Sequence, residues 1–163
     1  IVEEIFQKSA AEGIATDVSK QAEANALVDF DALARAVLVK QKASAEDFAW
    51  FRDTLKEIIT RTVYPKAPEF LKGTKITFNA DEVKGQRAKV KSTVQNKADL
   101  TDVDYELANE GQKGWLVTDV SISGQSWVES IRDEVAKVLK KNKWAGLKQK
   151  MTKRLNELKS GKS

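Results

Sequence analysis

The sequence predicts one α+β domain: N-terminal helices, then a four-stranded, mainly antiparallel sheet, then C-terminal helices packed on one face of that sheet. Two observations predict this class. Apolar residues recur every three to four positions as far as Pro65 and Pro68, change to alternate positions up to about residue 123, and return to helical spacing from Ser126. The alternating segments are joined by short connections, so the elements are segregated and the strands form a meander, which is the α+β pattern. With 163 residues the chain can bury one sizeable core. Its parts are helical over 1–70, sheet over 74–123 and helical over 126–159.

Ile1, Val2, Ile5 and Phe6 begin a first helix that Gly13 stops. Thr16 or Asp17 caps a second helix to about Leu27, and Asp29 caps a third through "FDALARAVLV". The clearest helix is "SAEDFAWFRDTLKEIITRTV". There Ser44 and Asp47 resemble a capping box, and Glu46 sits in the first turn, where the helix dipole favours a carboxylate. Phe48, Phe51, Leu55, Ile58, Ile59 and Val63 give it one wide apolar face. The two prolines then break it.

Four strands follow. "KITFNADEV" places Ile76, Phe78 and Ala80 on one face, and "RAKVKSTVQ" sets Ala88, Val90 and Val94 against Lys89 and Lys91. "TDVDYELAN" alternates Val103, Tyr105 and Leu107 with Asp102, Asp104 and Glu106. These strands keep one solvated face. "GWLVTDVSIS" is apolar on both faces around Trp115, Leu116 and Val117, so it is the more central strand or is covered on both sides. Ser126 with Glu129 forms an S-x-x-E capping box at the start of the next helix, whose stripe is Val128, Ile131, Val135, Val138 and Leu139. After Asn142 a last helix carries Trp144, Leu147, Met151, Leu155 and Leu158.

Composition narrows the chemistry. The chain has no cysteine and no histidine, which removes disulfides, thiolate nucleophiles, Ser-His-Asp triads and the usual zinc sites. No apolar run approaches the roughly 20 residues of a transmembrane helix. The chain opens at Ile1 without a Met, as expected of a processed product that has lost an export signal. The net charge of +4 is divided: 137–163 carries +9 and 1–136 carries −5.

Few residues invite a chemical reading. The turn "SISGQSW" lacks the G-x-S-x-G of a nucleophile elbow, and Ser126 and Gly124 suit a helix cap and a sharp turn. A free helix N-terminus there could also hold an anion. Asp119, inside a strand, is either a general base or a solvated or paired carboxylate. Asp99, Asp102 and Asp104 lack the glycine and glutamate of an EF-hand loop, and no glycine pattern cradles a phosphate. The basic tail is either a solvated helix face or a contact for lipid headgroups or an acidic protein. Nucleic acid is disfavoured as a partner, because the tail's one aromatic, Trp144, lies on the apolar stripe. The residues alone describe a binding module with apolar inner faces.

Three stretches, "VDFDALARAVLVK", "FAWFRDTLKEIITRTV" and "TDVDYELANEGQKGWLVTDVSISGQSWVESIRDEVAKVLKKNKWAGLKQKMTKRL", together covering most of residues 28 to 155, resemble the MlaC, or toluene-tolerance auxiliary, family. The most specific element is a strand ending in D-V-x-x-x-G-x-S before a helix, here Asp119, Val120, Gly124 and Ser126. The family often has Gly after "VL" and soon afterwards a Trp-Arg pair, where this chain has Val39 and no such pair. The resemblance implies a cone-shaped, NTF2-like fold with a lipid cavity. It also implies a periplasmic shuttle, with no catalytic role and no cofactor, that carries phospholipid between an inner-membrane Mla ABC transporter and an outer-membrane lipoprotein–porin complex. The alternatives are a carrier of hopanoids or another lipid, and a small-molecule enzyme of the same cone shape using Asp119.

The lining of such a cavity is an expectation from periodicity. On the long helix it comprises Leu55, Ile58 and Ile59; on the strands Ile76, Phe78, Val90, Tyr105, Leu107 and Val117; on the helix after the turn Val128 and Ile131. Lys148, Lys150 and Lys153 of the basic tail are the expected docking residues for the transporter or another membrane-bound partner.

Overall fold

The computed structural model describes residues 25–63, 65 and 73–161. The first expected helix and nearly all of the second lie outside them. The described chain runs α1 (Phe30–Val37), α2 (Ala45–Thr62), β1 (Thr74–Lys84), β2 (Arg87–Asn96), β3 (Asp99–Asn109), β4 (Trp115–Ile122), β5 (Gln125–Ser126) and α3 (Trp127–Lys159).

Capping side chains start all three helices. Asp29 Oδ1 accepts the Ala32 amide at 2.8 Å, Ser44 Oγ the Asp47 amide at 3.0 Å, and Ser126 Oγ the Glu129 amide at 3.1 Å. Each satisfies an N–H that the first helical turn leaves without a partner. Helix α2 ends at Thr62, just before Pro65. Helix α3 is bent at Lys143 (φ 59°, ψ −169°) into two arms, 127–142 and 144–159, where the sequence places the break between its last two helices.

The sheet is an antiparallel meander in the order β1-β2-β3-β4-β5. It has five strands, not the expected four. Ser123 (φ 50°) and Gly124 (φ 80°) both have positive φ, as a two-residue type I′ hairpin turn requires. The chain therefore doubles back, pairing Ile122 with Gln125 and Ser121 with Ser126 before α3 begins. A second difference concerns Ala80. A bulge between Phe78 and Ala80 aligns Phe78 with Ser92 but Ala80 with Lys91. Ile76 and Phe78 stay on the apolar side while Ala80 moves to the lysine side, since one extra residue inverts the alternation.

The solvated face is set by charge. Lys89 lies opposite Glu106, Lys91 opposite Asp104 and Thr93 opposite Asp102, and Lys89 reaches Asp104 diagonally at 3.4 Å. Unlike charges across neighbouring strands favour this register. Strand β4 is covered on both faces: neighbouring Leu116 and Val117 are both buried. It also has neighbours on both edges, for Val28 pairs in parallel with Val117 on the edge away from β3.

Two apolar clusters form. One unites Leu33, Ala34, Val37 and Leu38 with Phe51, Leu55, Val128, Val135 and Leu147 of the helices. The other lies on the sheet: Val94, Val103, Tyr105, Leu107 and Val117. The elements that join helices to sheet are α1 and α3, which both meet β4.

Candidate functional site

The sheet-to-helix corner holds Asp119. Its Oδ1 accepts the Val128 amide at 3.1 Å and its own neighbour's amide, Val120, at 2.7 Å. Its Oδ2 accepts a hydrogen bond from the Ser126 hydroxyl. The carboxylate thus serves as a second cap on α3, joining β4 to the first turn of the helix. This is where the D-V-x-x-x-G-x-S pattern obtains its structural meaning. The aspartate anchors, the glycine turns, and the serine caps. Among the described residues no cluster of three or more carboxylates could hold a metal ion.

Apolar chemistry concentrates elsewhere. An open groove of about 380 Å³ runs between α2 and the two arms of α3. Three stripes line it: Phe51, Leu55 and Ile58; Ile131, Val135 and Val138; Leu147 and Met151. Each follows the four-then-three or four-residue step that keeps side chains on one helix face. Ser130, Glu134, Lys150 and Arg154 stand at the rim. Polar groups at the mouth and hydrocarbon below suit an amphiphile.

Ion pairs hold the second arm along α2. Lys148 Nζ lies 2.6 Å from Asp47, and Lys159 Nζ 3.1 Å from Glu57. The two pairs are ten residues apart on α2 and eleven apart on the arm, so the helices run side by side in the same direction. Hydrogen bonds from Lys148 and then Ser44 hold the Asp47 carboxyl below its ordinary value. At Glu57 burial pushes the carboxyl upward, but hydrogen bonds from Lys159 and Arg61 outweigh it and the net direction is down. The first arm is tied to α1 by Arg132, whose Nε donates to the Ala36 carbonyl at 2.9 Å. Trp144 Nε1 donates to the Lys42 carbonyl at 2.9 Å just past the bend.

The sequence-predicted lining residues separate into two groups. Leu55, Ile58 and Ile131 line the groove itself, while Ile59 and Val128 belong to the helical cluster around it. Ile76, Val90, Tyr105, Leu107 and Val117 belong to the sheet cluster. Burial raises the Tyr105 phenol well above its usual range, with hydrogen bonding to Ser92 acting against the shift. Phe78 is 38 % exposed and lies outside both clusters. Of the lysines, Lys150 is at the groove rim and Lys153 is exposed, whereas Lys148 is engaged by Asp47 and lies 5.7 Å from the Trp50 ring. Periodicity did not assign Phe51, Val135, Val138, Leu147 and Met151 to a site. Their stripes were legible, but their convergence depends on the bend at Lys143.

Helices on an antiparallel sheet, with an apolar groove between α2 and the two arms of α3, define a small α+β protein. Residues 3–153 match the model of the MlaC protein family, and the chain belongs to that family. A solved phospholipid-binding protein from Ralstonia solanacearum, in complex with a phospholipid, has the same fold with a TM-score of 0.78. It is 20 % identical, and the match covers 96 % of this chain and 93 % of that one. No curated protein matches this chain in sequence.

Proposed function

We propose that this chain is a periplasmic lipid carrier without enzymatic activity. It takes a phospholipid from one membrane complex and delivers it to another, between an inner-membrane Mla ABC transporter and an outer-membrane lipoprotein–porin complex. The observation that carries this reading is the groove, in a chain of the MlaC family whose fold is shared by a protein holding a phospholipid.

The physical need is large. Two acyl chains present roughly 30 methylenes, and each costs about 0.8 kcal/mol to expose to water. The Ile131-to-Val138 wall spans seven residues of helix, about 10 Å, enough for part of one chain. The remainder extends along β4, the seam where the two apolar clusters adjoin. Opening a seam between two clusters is easier than breaking into either close-packed interior. Lys150 and Lys153, with Lys148 held in place by Asp47, offer positive charge beside the mouth for docking to a partner complex.

Organic extraction of the purified protein followed by mass spectrometry tests the reading, together with uptake from phospholipid vesicles. Co-purified phospholipid and uptake are expected; finding neither would overturn it.

A further inference from the structure

We infer that the end of the molecule formed by the α1–α2 connection and the bend of α3 is a docking surface for an anionic lipid bilayer. The Trp144–Lys42 hydrogen bond brings these two segments together. They carry Lys40, Lys42, Lys140, Lys141 and Lys143, all exposed. No acidic residue occurs in 38–45 or 138–147. None of the five lysines forms an ion pair among the described residues, although Lys148, on the second arm, does.

Helix dipoles do not account for this concentration of charge. The C-termini of α1 and of the first arm of α3 each supply about half a negative charge. The N-termini of α2 and of the second arm lie at the same end and supply about half a positive charge each, so the dipoles cancel and leave the five lysines uncompensated. Lys143 adds an independent sign. Its φ of 59° and ψ of −169° lie in a region that essentially only glycine adopts without strain. A lysine is carried there despite that cost.

The chemistry of the patch favours a bilayer over a folded acidic partner. It contains lysines and no arginine, so it lacks the fork that reads a carboxylate in fixed geometry. Mobile point charges suit a fluid layer of headgroups. Val39, 64 % exposed beside Lys40, provides an aliphatic group that can enter the headgroup region. Each lysine close to an anionic membrane strengthens partitioning about fivefold.

Flotation of the full chain with phosphatidylcholine vesicles, with and without phosphatidylglycerol, tests this surface. Binding to the anionic vesicles alone is expected, weakening as salt rises because exposed charges are screened. Combined Lys140→Gln, Lys141→Gln and Lys143→Gln should weaken binding about 100-fold while the thermal midpoint and the extracted lipid load stay unchanged. Combined Lys84→Gln, Lys97→Gln and Lys113→Gln removes the same charge from the strand turns and should leave binding intact. Equal loss in both variants would reduce the effect to net charge and overturn the proposal. Failure of the unmodified protein to bind anionic vesicles, or its equal binding to neutral ones, would also overturn it, whatever lipid the groove carries.

Discussion

Asp119 and Ser126 form a hydrogen-bonded pair that joins the last long strand to the longest helix. The serine hydroxyl donates to the carboxylate while accepting the Glu129 amide, and the carboxylate also accepts the Val128 amide. Ser126→Ala should lower stability by about 1 kcal/mol, the usual effect of losing an N-cap. Asp119→Asn should cost about 1–2 kcal/mol through a weakened charge-assisted bond. The double variant should lose less than the sum, since both act on one network. Urea denaturation measures all three. Lipid load per folded molecule should not change; abolition of binding by Asp119→Asn alone would give the carboxylate a role beyond the corner.

The bend of α3 is strained at one residue and crowded at another. Lys143→Gly should raise stability by roughly 1 kcal/mol, because glycine adopts this conformation freely. Gly146→Ala should act in the opposite direction, for its added Cβ would meet the Asn142 Cβ at 2.2 Å. Thermal unfolding of the two variants should therefore move in opposite senses.

The groove makes a prediction that separates filling from emptying. Ile58 and Ile131 are half-buried walls, so Ile58→Trp or Ile131→Trp should reduce co-purified lipid severalfold with little effect on folding. Leu55 is 6 % exposed and packs in the helical cluster. Leu55→Ala should cost about 2–4 kcal/mol by leaving a cavity. Val117→Trp probes the seam at β4 by the same lipid measurement.

The Asp47–Lys148 pair sets a pH dependence. Its carboxyl is held below the ordinary 3.8, so the pair contributes fully above that value and is lost as pH falls through the lower folded-state value. The thermal midpoints of the native chain and of Lys148→Met should differ more at neutral pH than near pH 3. An equal difference at both would mean that the contact of the Lys148 ammonium with the Trp50 ring outweighs its pairing with Asp47.

Local signals were read directly from the chain. Asp29, Ser44 and Ser126 cap the helices they precede, because an N-cap needs only a side-chain oxygen and the amides two or three residues on. The solvated face of the sheet was also legible, since alternation and opposite charges are properties of neighbouring positions. Ala80 was not, because the bulge before it belongs to strand pairing and inverts the alternation without a mark in composition. β5 was missed for a related reason. Two residues are too few to show a period, and they become a strand only because the Ser123–Gly124 turn returns them to β4.

By itself the sequence determined the α+β class, the order of helices and long strands from α1 to α3, the capped starts of those three helices, the break after Asn142 and the kinship with the MlaC family. All of these rest on neighbours within a few positions or on a pattern carried along the chain. Only the tertiary structure decided that Leu55, Ile58 and Ile131 share a groove while Ile76, Val90 and Tyr105 pack in a separate cluster. Periodicity assigns each side chain to a face of its own element. Which faces meet depends on the bend at Lys143 and on the ion pairs that lay the second arm along α2, contacts between residues just over a hundred positions apart.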